Sequence, residues 1–292
     1  MKLFDIIEKR RSTRDFTDQP VTDSEKLNLI QYFPKTARLD PSIKVEMRIL
    51  SGAEFEPLRG KVGYEKMSFE APAYLVVFSE IKPHYLENAG VLTEDMILKM
   101  TAMGLESCWL TVLNVKPVVE AYRDELILDG DIAIASVVAF GQGEQDRRRS
   151  LLHIFTPSNL KVTKREGYSA PKIDPDEMVY SGEFGGKIDL TSVEIDDGLR
   201  SAMIAATLAP TYLNRQPVRL IYDASEAQVI LVGMKDQKTG NHDAALNCGA
   251  VMANFAMALE EYRPTKQQWI PGSPDKKYDT PDGAIIIAYL KV

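Results

Sequence analysis

The sequence lacks several features that would place it in a common class of protein. Its 292 residues include only two cysteines, Cys108 and Cys248, and they form no Cys-x-x-Cys pair. Isolated cysteines are typical of reduced thiols in a cytosolic protein, so we expect a cytoplasmic location. The three histidines, His84, His153 and His242, have no metal-ligand spacing among themselves, so no metal site is predicted.

Charge and hydropathy argue against two further classes. The formal net charge is −7 at pH 7, whereas proteins that bind nucleic acids usually present a basic field. No apolar run reaches the length that crosses a membrane. The first eleven residues have no apolar core followed by a small-residue cleavage site, so a secretory signal is not expected. We therefore expect neither nucleic-acid nor membrane partners.

The chain contains an internal repeat. Segment 86–110 aligns without a gap with segment 246–270, so that Leu86 matches Leu246 and Trp109 matches Trp269. Both segments begin as apolar stretches of helical length, which predicts two helices that are each buried on more than one face.

Short apolar runs accompany each of these helices and predict strands. In chain order they are 44–50, 73–78, 129–140, 217–223, 228–233 and 282–290. Each half therefore reads helix, strand, strand, helix, strand. That order predicts an α+β fold, with helices packed on a mostly antiparallel or mixed sheet. We expect a first half at 1–150, a linker at 151–190 that crosses the surface, and a second half at 191–292.

An unusually basic stretch, "EKRRSTRDF", occupies residues 8–16 of this acidic chain. Arg10, Arg11 and Arg14 are gathered there with the hydroxyl groups of Ser12 and Thr13. The stretch is either solvated surface or part of a site for an anion, because arginine offers a planar fork of donors to phosphate.

A second polar segment lies in the loop "APTYLNRQP", residues 209–217. The amides of Asn214 and Gln216 both donate and accept hydrogen bonds, which suits a ligand edge that alternates N–H and C=O groups. The same residues also favour turns, so the loop alone leaves both interpretations open. In the first half the corresponding loop, 33–41, carries Arg38 and Asp40 at those places.

Taken together, these segments resemble the nitroreductase-like FMN flavoproteins. "EKRRSTRDF" resembles their opening motif, and "AATLAPTYLNRQPVRL" resembles their second motif. "ENAGVLTEDMILKMTAMGLESCWL" resembles their central helix and the loop after it, and "VVAFGQGEQDRRRS" resembles their last strand and basic segment. In that family two subunits interlock with FMN at the interface. Here the pieces lie in opposite halves of one chain, so the resemblance implies a nitroreductase-like fold in a single-chain, fused pseudo-dimer that keeps one of two sites.

The resemblance also implies which residues bind the cofactor. Arg10 and Ser12 correspond to the phosphate and ribityl end, Arg14 to the pyrimidine edge of the ring, and Arg147 and Arg149 to a second phosphate clamp. Arg11, in the same motif, is also expected to bind the cofactor. The backbone of Leu110 and Thr111 corresponds to the position that faces flavin N5. The loop that contacts the ring corresponds to Pro210, Thr211, Asn214 and Gln216. For the basic segment 147–149, a solvated turn is the alternative.

The implied function is an FMN-dependent oxidoreductase, with NADH or NADPH as electron donor and a nitroaromatic or quinone-type acceptor, in a ping-pong cycle of hydride transfer. No side chain is expected to be catalytic, because the flavin carries the hydride chemistry. One alternative is a flavin-binding or sensing protein with little turnover, and another is a degenerate fold without FMN. Because the family's dimer interface would be internal, a monomer is compatible with this interpretation.

Overall fold

The computed structural model describes residues 2–63, 70–113, 116–144, 148–154, 160–166, 170–192 and 195–292. For residues 116–117, 148–154 and 160–166 it describes the backbone. Within these ranges no helix combines the length and the apolar character needed to cross a bilayer.

The helices are α1 (Leu3–Lys9), α2 (Asp23–Tyr32), α3 (Tyr85–Ala102), α4 (Lys116–Tyr122), α5 (Pro175–Met178), α6 (Asp197–Thr207) and α7 (Asn241–Glu260). The strands are β1 (Val45–Leu50), β2 (Ala73–Glu80), β3 (Glu106–Leu110), β4 (Ile132–Gly141), β5 (Arg148–Ile154), β6 (Leu160–Glu166), β7 (Val179–Ser181), β8 (Val218–Asp223), β9 (Gln228–Gly233), β10 (Ile270–Pro271) and β11 (Ile285–Lys291).

Two larger sheets have the same internal order. The first is antiparallel, with the strand order β1-β2-β4-β3. The second contains the corresponding order β8-β9-β11-β10, and β7 joins its edge parallel to β8. The prediction of an α+β fold built from two equivalent halves is therefore confirmed.

Burial explains why the strand sequences are apolar without alternation. All eight residues of β2 are buried, because α2 and α3 cover one face of the first sheet and the segment 52–58, with α4, covers the other. In the second sheet α6 and α7 cover one face of β8 and β9. Strands buried on both faces read as continuous apolar runs, which is the pattern that predicted them.

The segment after α3 and the linker both differ from expectation. Glu106–Leu110 was expected to be a loop, but it forms β3 and pairs with the end of β4. The linker was expected to cross the surface, yet β6 pairs with β5, β7 joins the second sheet, and the side chains of Met178 and Val179 are buried in the second core. The limits of the two halves stay a prediction.

The two central helices, α3 and α7, cross where each has a glycine. A Cβ on Gly90 would lie 2.7 Å from the carbonyl oxygen of Leu246, and one on Gly249 would overlap the carbonyl oxygen of Glu87. Such reciprocal contacts are the mark of a twofold relationship. They relate Glu87 to Leu246 and Gly90 to Gly249, so the expected gap-free alignment is one residue out of register in these helices.

Candidate functional site

The basic opening stretch is held along the free edge of β3. The backbone N–H of Thr13 donates to the carbonyl of Ser107 at 2.9 Å, and Ser12 forms a parallel bridge with Ser107. The hydroxyl of Thr13 donates to the carboxylate of Glu106. Beyond this point Phe16 bridges Gly143 at the end of β4. The edge strand therefore fixes the direction of the stretch, and Ser12 lies next to the end of the first sheet.

The loop between α6 and β8 has a constrained backbone. Leu213, Asn214 and Gln216 have φ values of 47°, 55° and 53°, in the left-handed region that residues with a Cβ rarely occupy. The hydroxyl oxygen of Thr211 accepts from the N–H of Gln216 at 3.0 Å, which ties the two ends of the loop together. Such backbone strain persists only where the surroundings enforce it, and it clusters at ligand sites.

The opening stretch and this loop meet across one cleft. Its volume is about 820 Å³, including space open to solvent. Its lining residues come from both halves of the chain: Ser12, Arg14, Gly63, Cys108, Trp109, Leu110, Thr111, Pro210, Thr211, Tyr212, Leu213, Asp243, Leu246, Asn247 and Ala250. Such a concave, partly apolar cleft between two units is a common setting for a small-molecule or cofactor site. The structure thus brings together the two segments that the pseudo-dimer interpretation requires to be neighbours.

The residues expected to bind the cofactor are only partly in this cleft. Those that line it are Ser12, Arg14, Leu110, Thr111, Pro210 and Thr211. Those that the structure places elsewhere are Arg10, Arg11, Asn214 and Gln216. Arg147 lies outside the described residues, and Arg149 belongs to β5, where the backbone alone is described. The roles of all twelve stay predictions.

Arg10 lies behind the cleft wall in a buried group of charges. Its Nε is 3.8 Å from Oε1 of Glu94, and its Nη1 is 3.5 Å from the hydroxyl of Ser12. The indole of Trp109 donates to Oε2 of Glu94 at 3.3 Å. Burial raises the pKa of Glu94 to about 7, although Arg10 opposes the shift. Burial, with Arg10, lowers the pKa of Lys172 to about 8, and Glu94 opposes that shift.

The amides of Asn214 and Gln216 are engaged by the linker. Asn214 Nδ2 donates to the carbonyl of Pro171 at 2.8 Å, and Gln216 Oε1 accepts from the N–H of Ile173 at 2.7 Å. The ammonium group of Lys172 donates to the carbonyl of Ala209 at 2.6 Å, at the start of the same loop. Residues 171–173, which we call the strap, therefore hold the loop from its outer side.

Arg11 is exposed and points back along its own helix end. Its Nη1 donates to the carbonyl of Arg10 at 2.9 Å and to the carbonyl of Glu8. Its guanidinium is thus directed away from the cleft that Arg14 lines.

Sequence reasoning missed two polar residues of the cleft, Asp243 and Asn247, on the first turns of α7. Asn247 Oδ1 accepts from the N–H of Tyr212 at 2.9 Å and so supports the loop. In the other half Asn88 does the same, accepting from Leu39 and Asp40. Aligning the helices one residue out from the gap-free match would have paired these two asparagines.

The corresponding space in the other half is bridged by side-chain contacts. Gln268 donates to the carbonyls of Arg38 at 3.0 Å and Leu39 at 2.9 Å. The guanidinium of Arg38 lies 4.9 Å from the centre of the Phe33 ring. These contacts join the first-half loop, 33–41, to the segment just before β10 in the second half. This is the position that corresponds to the open cleft.

Comparison with known proteins agrees with this architecture. A family model described as "Putative TM nitroreductase" matches residues 2–258. A solved "putative nitroreductase" from Thermotoga maritima is 15% identical, with a TM-score of 0.59 over 99% of this chain and 93% of that one. No curated protein matches the chain.

Shorter solved structures match about half of the chain. A nitroreductase from Bacteroides fragilis with bound FMN is 17% identical, covering 59% of this chain and 100% of its own, with a TM-score of 0.41. A solved "putative NADH dehydrogenase/NAD(P)H nitroreductase" from Parabacteroides distasonis is 20% identical, covering 57% of this chain and 93% of its own, with a TM-score of 0.41.

The fold and its cleft between two equivalent halves define an oxidoreductase of the nitroreductase class. The chain belongs to the family described as "Putative TM nitroreductase", whose model covers nearly all of it.

Proposed function

We propose that the chain binds FMN in this cleft and transfers hydride from NADH or NADPH to a nitroaromatic or quinone-type acceptor in a ping-pong cycle. The observation that carries the proposal is the cleft itself, which Ser12 and Arg14 of the opening stretch share with Pro210 and Thr211 of the second-half loop. The family resemblance assigns those two segments to opposite ends of one flavin.

The lining fits such a cofactor. Leu246, Ala250 and Pro210 offer an apolar wall for a planar ring, and Ser12 and Arg14 offer donors for a polar edge or a phosphate. Asn247 adds a buried amide nitrogen that has no hydrogen-bond partner within the described residues. A mainly apolar cleft with a few placed polar groups is the usual design of a cofactor site.

When bound, FMN supplies the hydride chemistry, and the chain supplies position and electrostatics. Arg14 would hold the polar edge of the ring, and its positive charge would favour the reduced, anionic form. The backbone of Leu110 and Thr111, at the end of β3, would support the ring. Because the nicotinamide would stack on the ring inside the same cleft, no separate dinucleotide-binding domain is required.

The experiment is the flavin content and redox response of the purified protein. We expect a yellow protein that releases FMN on denaturation, with one FMN per chain, because Gln268 bridges the other loop. Anaerobic NADH or NADPH should bleach the flavin, and a quinone should restore the colour. A colourless protein that takes up no added FMN would contradict the proposal, and FMN that no nicotinamide bleaches would favour a flavin-binding protein without turnover.

We further propose that the acceptor is a small molecule and that the chain acts without nucleic-acid or membrane partners. α3 and α7 pack against each other within this chain, and by the family resemblance this contact would replace the interface between two subunits. A monomer with one flavin is therefore the expected assembly. Light scattering of the purified protein together with its flavin content tests this directly.

A further inference from the structure

One helix contributes a continuous wall to the cleft. Asp243, Leu246, Asn247 and Ala250 all line it, and all belong to the first turns of α7. Residues three, four and seven apart lie on one face of a helix. The two polar members, Asp243 and Asn247, are four residues apart and are therefore direct neighbours on this face. Neither is explained by the cofactor contacts that the family resemblance implies.

Asp243 is a partly buried carboxyl group that lines the cleft together with Thr111. Burial raises its pKa to about 6, and the hydroxyl of Thr111 opposes the shift. The cleft also contains Arg14, and the titratable residue next to Asp243 on α7 is His242. The ring of His242 is directed to the carbonyl of Ala135 at 2.8 Å, and burial lowers its pKa.

Asn247 has a fixed orientation and an unused donor. Its Oδ1 accepts from the N–H of Tyr212, so its Nδ2 is the remaining group. Nδ2 is buried without a hydrogen-bond partner in the part of the chain that the structure describes, and the residue is 5% exposed. Leaving a buried donor unpaired costs about 1–3 kcal/mol, which a ligand oxygen would relieve.

The place of Thr111 connects these two groups to the chemistry. By the family resemblance, the backbone at Leu110 and Thr111 faces the ring atom that passes the hydride. Asp243 and Asn247 line the same cleft as Thr111, so their polar groups border the space that an acceptor next to that ring atom would occupy. We propose that Asp243 is the proton donor to an oxygen-bearing acceptor and that Asn247 Nδ2 hydrogen-bonds the same acceptor. This inference rests on the proposed function.

The step balances with one proton. A quinone gains a hydride, that is, two electrons and one hydrogen nucleus, from the reduced cofactor. The O–H bond of Asp243 breaks, and its proton forms an O–H bond on the acceptor, which gives the hydroquinone. The carboxylate of Asp243 then takes a proton from water through the open side of the cleft. Ferricyanide, by contrast, accepts single electrons and needs no proton.

The test separates the oxidative half of the cycle from the rest. The flavin of the FMN-loaded protein is reduced photochemically without oxygen and is then mixed rapidly with benzoquinone or with ferricyanide. General acid catalysis contributes about 10²–10⁴-fold. We therefore expect Asp243→Asn to slow reoxidation by benzoquinone at least ~100-fold, with the ferricyanide rate unchanged. The matched control is Glu87→Gln, which removes the acidic residue in the first turn of α3 and should change neither rate.

Two measurements distinguish proton donation from a structural role. The benzoquinone rate of the unaltered protein should fall as pH rises through about 6, because the acid must be protonated. Thr111→Val removes the hydroxyl that favours the carboxylate of Asp243, so it should move this fall to higher pH. In protein without FMN, infrared difference spectra across the same pH range should show a carboxylic-acid band that Asp243→Asn lacks.

Several results would overturn the inference. Equal slowing with both acceptors, no slowing, or a benzoquinone profile that Thr111→Val does not shift would each do so. If Asp243→Asn does not fold, the profiles of the unaltered protein and of Thr111→Val decide alone. Because light rather than a nicotinamide reduces the flavin, failure of NADH and NADPH to bleach it would contradict the proposed function without touching this test. Failure to bind FMN would overturn both.

Discussion

The guanidinium of Arg10 and the carboxylate of Glu94 form a buried ion pair, with Nε and Oε1 3.8 Å apart. Their exposed side-chain fractions are 9% and 0%. Neither of these two atoms has a hydrogen bond among the described residues. Lys172 from the strap adds a second cation to the same surroundings. By the glycine-to-glycine register of the two central helices, the counterpart of Glu94 is Ala253, so this charge cluster belongs to one half alone.

The cluster predicts a pH dependence of stability. Glu94 has a pKa raised from 4.5 to about 7, so the folded protein keeps a proton that the unfolded chain releases between these values. The contribution of Glu94 to the free energy of unfolding is therefore full below about pH 4.5 and is lost as pH rises to about 7. Glu94→Gln cannot titrate and lacks this loss.

Urea denaturation at pH 5 and at pH 7 measures the pH-dependent contribution of Glu94 to the free energy of unfolding. The free energy of unfolding of Glu94→Gln, relative to the unaltered protein, should rise between the two pH values. Lys172 titrates at higher pH than this range. Its pKa is about 8 in the folded protein and 10.5 in the unfolded chain. A difference that is the same at both pH values would contradict the prediction.

The helix crossing predicts the effect of one methyl group. A Cβ at position 249 would lie 2.5 Å from the Cα of Gly90, and both atoms belong to helix backbones that cannot rotate away. Gly249→Ala should lower the free energy of unfolding by about 1–3 kcal/mol, since forced overpacking costs that much. Thermal denaturation of Gly249→Ala and of the unaltered protein measures this loss of stability. Gly233→Ala is the control, because its Cβ would meet only side-chain atoms, at 3.3 Å or more, and should cost less.

Much of the fold could be predicted because buried strands leave a strong signal. The runs after Asp129-Gly130 and Asp282-Gly283 became β4 and β11 close to the expected bounds. β3 was missed because "ESCWL" mixes polar and apolar residues at a sheet edge, where the opening stretch covers it. Pairing of that kind is set by tertiary contacts, which a local pattern does not contain.

The candidate site was predictable where its residues lie in motifs and not where they lie on a helix. Ser12 and Pro210 lie in short polar segments whose composition differs from that of the surrounding chain, so a sequence pattern can identify them. Asp243 and Asn247 stand in a helix whose apolar character dominates its sequence, and their function depends on which face meets the cleft. Lys172 was missed for a different reason, because a proline-rich linker gives no periodicity from which a buried side chain could be inferred.

The strap predicts a stabilising role for Gln216 that does not depend on any cofactor. Gln216→Ala removes the acceptor of the Ile173 N–H and one donor to the carbonyl of Pro171. Losing a hydrogen bond and leaving its partner unsatisfied costs about 1–3 kcal/mol, so protein without FMN should lose that much stability. Gln267→Ala, whose amide reaches only the neighbouring Thr265, should cost less. Equal losses in urea denaturation would contradict the strap.

The two arginines of the opening stretch predict a contrast in flavin binding. Arg14 lines the cleft, whereas the guanidinium of Arg11 bonds to carbonyls of its own helix end. A charge-assisted hydrogen bond contributes about 1.5–3 kcal/mol, so Arg14→Ala should weaken FMN binding about 10- to 100-fold in a fluorescence titration. Arg11→Ala should change the dissociation constant less than about fivefold, because an exposed charge contributes about 1 kcal/mol at most. Arg14→Ala should also lower the reduction potential of the bound flavin, because negative charge on the reduced ring loses its nearest cation. Equal weakening by both substitutions would place the polar edge of the cofactor outside this cleft.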